Sequence, residues 1–280
     1  MKYKLIAIDF DGTLLSPSGL VTARTKAAVH RCVANGYAVC FATGRNLTES
    51  ARVLAEVDHL SAAVFVGGAI VADTQSGRTL HRTLMHATLA REICGFFESH
   101  GHAVLALQDT EVAGFDYLIS HAIEPNEATR KWLSATRATV QWADDLPTRS
   151  HHHTLRIGIV AEANAVREAN DELSEKFGPR IVSHCIQVPP SSLAVLEIFD
   201  PAVNKWQGVM RVARPLGISG EEIIAVGDDV NDIAMVRNAA LGIAMGNAHP
   251  RLAAVADRVI GSNVDDGLAE FLENLVSAGE

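Results

Sequence analysis

Short apolar runs alternate with stretches of helical spacing along the first sixty residues, and each apolar run ends in small or acidic residues. Leu5, Ile6, Ala7 and Ile8 are continuously apolar, as a strand buried on both faces requires. Downstream, Ala28, Val29, Cys32 and Val33 share one face of a helix that Thr22 can cap and Gly36 can stop. "YAVCFATGR" reads as a second buried strand, a helix follows over roughly Leu47 to Val57, and "AAVFVGG" reads as a third strand. This βαβαβ order predicts a parallel sheet with helices on both faces.

The rhythm then changes. "AIVADTQSGRTLHRT" reads as a hairpin turning at Ser76-Gly77. From about Leu84 to Gln187, helices such as "HATLAREICGFFESHG", "PNEATRKWLSAT" and "EANAVREANDELSEKF" alternate with the strands "HAVLALQ", "HTLRIGIV" and "RIVSHCIQV". Helices laid on mostly antiparallel strands predict a separate α+β domain inserted into the first. "VPPSS" at 188–192 reads as the boundary turn. The parallel style resumes with the helix "NKWQGVMRVARPLG", a capping box from Ser219 to Glu222, and the strand "IIAVG". Next come the helix "VNDIAMVRNA", the strand "LGIAMG", the helix "AHPRLAAVA", the strand "DRVI" and the closing helix "DGLAEFLENLV". The expected class is α/β: a doubly wound parallel-sheet core of residues 1–83 and 188–280, with residues 84–187 as the inserted α+β domain.

Composition narrows the partners. The chain has 280 residues, 48% hydrophobic and 20% charged, with net charge −9. Without a basic block, nucleic acid is not expected as a partner. No apolar run reaches the length of a membrane span, and the first one stops at Asp9, too early for a signal-peptide core. Cys32, Cys40, Cys94 and Cys185 are scattered without a CxxC pair, and read as small core residues in a reducing, cytoplasmic setting. The triplet His151–His153 reads as a solvated stretch, Trp132, Trp142 and Trp206 read as packing residues, and His81, His86, His100, His102, His121 and His184 lack ligand spacing.

Four clusters carry candidate chemistry, each just past a predicted parallel strand or at a helix start, where open α/β sheets place their ligand sites. In Asp9-Phe10-Asp11-Gly12-Thr13, residues i and i+2 point the same way, so both carboxylates can enter one crevice. One could attack phosphorus while the other handles protons. Two solvated loop aspartates are the plain alternative. Thr43-Gly44-Arg45 offers a hydroxyl and amides suited to phosphate, or is simply a turn. Lys205 sits at a predicted helix start, where a cation is disfavoured unless it faces an anion; otherwise it is a surface lysine. Gly227, Asp228, Asp229, Asn231 and Asp232 make a hard-cation composition at a strand end, although one or two acids there could simply complement a helix dipole. If Asp9, Asp11 and Asp228 share a magnesium ion, and Lys205 neutralises the nucleophile and the incoming phosphate, the clustered charge is compensated.

The ordered set DFDGT, TGR, a lysine near a helix start and GDDVND resembles the haloacid-dehalogenase (HAD) superfamily of aspartate-nucleophile phosphatases. The insert after the third strand is similar to the subfamily IIB, Cof-type branch with a C2B cap on a Rossmann-like core. The resemblance implies a magnesium-dependent phosphatase of a small phosphorylated metabolite, with a sugar phosphate as the expected substrate. It implies Asp9 as the nucleophile that becomes an aspartyl phosphate, and Asp11 as general acid and then base that also gives the metal a backbone carbonyl. It further implies Thr43 and Gly44 on the phosphoryl group, Arg45 near cap or substrate, Lys205 orienting nucleophile and phosphate, Asp228 as direct ligand, Asp232 as outer or alternate ligand, and Asn231 on phosphate. Two departures stand out: Gly67-Gly68 where many members have Asn-Gly, and Asp229 where a small or amide residue is common. Other readings are a phosphosugar mutase on the same core, which would return the phosphate to the sugar, and a non-enzymatic phospho-acceptor module. The second fits poorly, because such modules are about half this size and carry no inserted domain.

Overall fold

The computed structural model describes residues 2–58, 61–136, 138–187 and 192–278. The chain divides into two compact units, Met1–His81 with Asn204–Glu280, and Arg82–Val203. The first unit opens with strand β1 (Leu5–Ile8), all four residues buried, and helix α1 (Ala23–Ala34), whose N-cap Thr22 accepts a hydrogen bond from the Thr25 amide. Strand β2 (Ala38–Phe41) lies parallel to β1, and helix α2 (Leu47–Glu56) starts with an Asn46/Glu49 capping box. The expected third parallel strand is only half so. Strand β3 (Ala62–Phe65) touches the β2 side through a single parallel bridge, Ala42 to Val64. Its full ladder is antiparallel to β4 (Ile70–Asp73), and β5 (Thr79–Arg82) completes a three-stranded sheet. The β4–β5 turn closes where expected, with Asp73 accepting from the Ser76 amide at 2.7 Å and hydroxyl at 2.6 Å.

The second unit carries helix α3 (Ala87–Ser99), strand β6 (Leu105–Gln108), a short helix α4 (Thr110–Ala113), strand β7 (Tyr117–Ser120), helix α5 (Glu127–Thr136) and strand β8 (Val140–Ala143). It continues with β9 (Thr154–Glu162), helix α6 (Ala163–Phe177), β10 (Val182–Gln187) and β11 (Leu193–Phe199). The six strands run in the order β10-β11-β9-β6-β7-β8, antiparallel except for β7 with β8. Apolar faces of α3 and α6, with Ile93, Phe97, Val166 and Leu173, bury Ala106, Ile157, Ile159 and Leu196 on one face of this sheet.

The structure moves the expected boundaries. The insert begins at Arg82 rather than 84 and ends at Val203 rather than 187, because β11 pairs with both β10 and β9 and completes the insert's sheet. Of the predicted boundary turn, residues 188–191 lie outside the described residues. Three other expectations also change. His151 is buried, turned inward at φ +47°, with Nδ1 at 2.9 Å from the Thr154 hydroxyl and Nε2 at 2.7 Å from the Leu146 carbonyl. Trp142 is half exposed and stacks on His121 at 5.0 Å instead of filling a core. All four cysteines are free as expected, but Cys185 is exposed.

The chain returns to the first unit through helix α7 (Lys205–Ala213), N-capped by Asn204, whose side chain accepts from the Gln207 amide at 3.0 Å. Strand β12 (Ile223–Gly227) follows, then α8 (Ile233–Asn238), β13 (Leu241–Ala244), α9 (Pro250–Ala253), β14 (Arg258–Val259) and α10 (Gly267–Ala278). The parallel sheet runs β14-β13-β12-β1-β2, so the two ends of the chain interleave and β1 pairs with β12. Strand order reverses around β1, which puts the loops after β1, β2 and β12 at one crevice. Among the described residues no helix is long and apolar enough to cross a membrane.

Candidate active site

The loop after β1 leaves the strand at once. Its turn is closed by the Leu14 amide on the Asp9 carbonyl at 3.2 Å and the Leu15 amide on the Phe10 carbonyl at 2.9 Å. Gly12 makes this possible. It has φ +76°, and a Cβ there would fall 2.1 Å from Oδ2 of Asp228, so only glycine lets the two loops touch. Thr13 adds a hydroxyl bond to Asp228 Oδ1 at 3.2 Å.

Asp9 is buried in this crevice, and Lys205, 1% exposed, reaches it at 2.6 Å. The same ammonium donates to Asp232 Oδ1 at 2.7 Å and to Asn231 Oδ1 at 3.4 Å. The other oxygen of Asp232 accepts from the amides of Asp228 and Asp229, each at 3.1 Å, so this carboxylate organises the loop after β12. Asp229 turns back to accept from the Val230 amide at 2.7 Å, which is the local capping use of an acid.

Asp9, Asp228 and Asp232 can each offer an oxygen within 4.8 Å of the others. The Asp11 carboxylate is not in this group. It is gripped by Arg45, Nε at 2.8 Å and Nη2 at 2.5 Å, with its side chain 59% exposed. The expectation that Asp9 and Asp11 share one face fails because strand geometry ends at Asp9. The helical turn that begins at Phe10 breaks the alternation, and the i, i+2 rule no longer applies.

Thr43 is fully buried, its hydroxyl accepting from the Arg45 amide at 3.1 Å. The turn after β3 supports it: Gly67 N–H donates to the Thr43 carbonyl at 3.0 Å and Val66 N–H to the Arg45 carbonyl at 2.9 Å. Val66 itself is held at φ +52°, a strained conformation for a buried β-branched residue, tolerated here because both flanking amides are engaged. Gly67 at φ +63° occupies the same left-handed region that asparagine also tolerates. Gly68 lets the chain pass the Asn204 carbonyl, which a Cβ would meet at 2.1 Å. Gly44 lies beside the Asn231 amide group. Thus Asn231, Lys205, Asp9, Asp228 and Asp232 converge with Gly44 beside Asn231, Thr43 is bonded within the neighbouring loop, and Asp11 pairs with Arg45.

Three carboxylates face one ammonium. Burial first, then the neighbouring Asp232, holds the Asp9 carboxyl well above its usual range, with Lys205 only partly offsetting. The same causes push Asp228 up to about 7. Burial alone would lower the Lys205 ammonium; Asp232 and Asp9 outweigh it and raise it. A buried excess of carboxylate oxygen is the donor set a hard divalent cation fits. A cavity of about 1170 Å³ in the same unit, lined by Leu5, Ala38, Ala62, Leu80 and Leu216, lies at the opposite strand ends and holds none of these acids.

This charge excess predicts a pH dependence. Between the unfolded value of 3.8 and about 7, folded Asp228 binds more proton than unfolded Asp228, so its contribution to stability falls as pH rises through that window. In EDTA, thermal denaturation is expected to show a melting temperature that drops from about pH 5 to about pH 8, with Asp228→Asn flattening the curve by roughly 1–3 kcal/mol. A wild-type curve no steeper than that of Asp228→Asn would contradict it.

A family profile described as haloacid dehalogenase-like hydrolase matches residues 6–272. Among curated proteins, the chain is 27% identical over 275 residues to the 5-amino-6-(5-phospho-D-ribitylamino)uracil phosphatase YcsE of Bacillus subtilis, covering 98% of this chain and 96% of that one. It is 29% identical over 277 residues to YitU, a phosphatase of the same name from that organism, covering 98% and 97%. Among solved structures, one described as the HAD subclass IIB sugar phosphatase BT4131 superposes with a TM-score of 0.80 at 21% identity, covering 98% of this chain and 99% of that one.

Proposed function

Because the chain belongs to the haloacid dehalogenase-like hydrolases and is a phosphoric monoester hydrolase, we propose that it uses magnesium to hydrolyse a small phosphorylated metabolite, a sugar or sugar-alcohol phosphate, through an aspartyl phosphate on Asp9. The observation that carries this reading is the Lys205 ammonium held between Asp9 and Asp232, beside Asp228. The two Bacillus phosphatases, whose substrate carries a phosphorylated ribityl chain, support the substrate class. The free cysteines support a reducing, cytoplasmic setting.

Asp9, Asp228 and Asp232 would hold the ion, which would withdraw charge from the phosphoryl oxygens and relieve the carboxylate excess. Lys205 orients the Asp9 oxygen and partly offsets the burial that disfavours its charge, and the ion would supply the rest. That oxygen attacks phosphorus, the ester P–O bond breaks, and Asp11, having taken up a proton from solvent once free of Arg45, gives it to the departing alkoxide. Asp11 must first leave Arg45, and an incoming phosphate dianion is a strong bidentate partner for that guanidinium. Water then attacks the aspartyl phosphate, gives a proton to Asp11, and releases inorganic phosphate with Asp9 restored. The Thr43 hydroxyl, the Gly44 amide and the Asn231 side chain bind the phosphoryl group from the Lys205 side.

The test is phosphate release from a panel of phosphorylated sugars, sugar alcohols and other small metabolites, in magnesium and in EDTA. Release in magnesium, suppressed by about 10²-fold or more in EDTA, is expected. Equal rates in both would overturn the metal role, and isomerised sugar phosphate without free phosphate would favour a mutase.

A further inference from the structure

Two asparagines outside the acid cluster bind the loop that carries Asp9. Asn247, just past β13, donates from Nδ2 to the Gly12 carbonyl at 2.9 Å. Its Oδ1 accepts from the Asn263 amide at 3.0 Å and the Ser262 hydroxyl at 3.4 Å. Asn263 donates from its own Nδ2 to the Leu15 carbonyl at 2.9 Å. The turn from Gly12 to Leu15 is therefore held at both ends by one side-chain network.

The same segment grips the opposite half of the cluster. His249 N–H donates to the Asp228 carbonyl at 2.7 Å, and Met245 N–H to the Gly227 carbonyl at 3.0 Å. The segment is anchored in turn by Gly246 N–H on the Gly261 carbonyl at 3.1 Å. Residues 245–249 thus touch the Asp9 loop and the Asp228 loop together, at the point where Gly12 abuts the Asp228 carboxylate with no room for a Cβ.

We infer that Asn247, locked by Asn263, is a positioning residue that sets the separation of the Asp9 and Asp228 carboxylates, and through it the affinity for the divalent cation. The inference rests on the acid cluster being the magnesium site. Asp9 and Asp228 place carboxylate oxygens within 4.8 Å of each other, so like charges face one another across the two loops. Without the clamp the free protein relaxes by parting the two loops, and the cation must draw them back. With it, the ligands are already gathered, and the ordering cost is met by folding rather than by binding.

Isothermal calorimetry with magnesium on wild type, Asn247→Ala and Asn263→Ala is the test, with Asn238→Ala as the control. Asn238 makes a comparable amide-to-carbonyl bond, to Ala234 at 2.7 Å, on the exposed side of α8 and away from the cluster. Asn247→Ala is expected to weaken magnesium binding about 5–20-fold and Asn263→Ala about 3–10-fold, with Asn238→Ala unchanged. In turnover, the magnesium concentration for half-maximal rate rises by similar factors, while the rate at saturating magnesium stays within a few-fold. A merely structural role would instead lower the melting temperature and leave magnesium affinity as in wild type; that result overturns the inference, as does a wild type that binds no magnesium. Should Asn247→Ala not fold, Asn263→Ala decides the matter alone. Calorimetry needs no substrate, so a protein inactive on every phosphate ester defeats the functional reading separately from the clamp.

Discussion

Asp9→Asn is expected to lower phosphate release by at least about 10³-fold while leaving the fold intact or firmer. An amide of the same shape carries no negative charge and is far too weak a nucleophile to attack phosphorus, so the covalent route closes. The stability side follows from the charge count. Asp9 is buried among acids, and burial together with Asp232 already holds its carboxyl toward the neutral form. Replacing it by a neutral group removes one repelling charge while Lys205 keeps Asp232 as its partner at 2.7 Å. Phosphate assays at saturating magnesium, beside thermal denaturation in EDTA, measure both halves. Residual turnover within about tenfold of wild type would remove Asp9 as the nucleophile.

Lys205→Met has the opposite signature, with stability and activity falling together. The ammonium is 1% exposed and is the cation that faces both Asp9 and Asp232. Methionine keeps the length and apolar stem but leaves buried carboxylates uncompensated, a change that typically costs about 3–5 kcal/mol. For a chain of this size that corresponds to a melting temperature lower by on the order of 10 °C. Turnover should fall about 10²–10³-fold, since the Asp9 oxygen loses its orienting partner and the transferring phosphoryl group loses a nearby positive charge. Saturating magnesium should restore part of the stability and little of the rate, because a cation among Asp9, Asp228 and Asp232 answers the charge excess but not the hydrogen bond at Asp9 Oδ1. A melting temperature equal to wild type in EDTA would show that the buried pair is not what holds these loops together.

The loop after β13 illustrates where reading the chain stops. "MGNAHP" has no titratable cluster and no spacing that points to chemistry. What singles out Asn247 is the parallel pairing of β13 with β12, which brings the residues after both strands to the same edge of the sheet. The insert shows a second kind of limit. Tyr117–Ser120 and Val140–Ala143 are four-residue strands amid polar turns, too short for alternation to register. Leu193–Phe199 is apolar enough to be a strand of either unit, and only its ladders with β10 and β9 assign it to the insert.

From the sequence alone came the parallel core in two stretches of chain, the inserted α+β unit and a set of candidate groups just past the strand ends. Those features are local: apolar runs, helix caps and residues immediately past a strand depend on neighbours a few positions away. Tertiary structure decided which acids share space. Asp11 turns out toward Arg45 and Gly12 presses the chain against Asp228, while Asp232, four residues beyond Asp228, reaches Lys205 from the other side. Such partnerships join residues as distant along the chain as Thr13 and Asp228, 215 positions apart, and their distances are set by how one sheet edge closes, which no periodicity along the chain records.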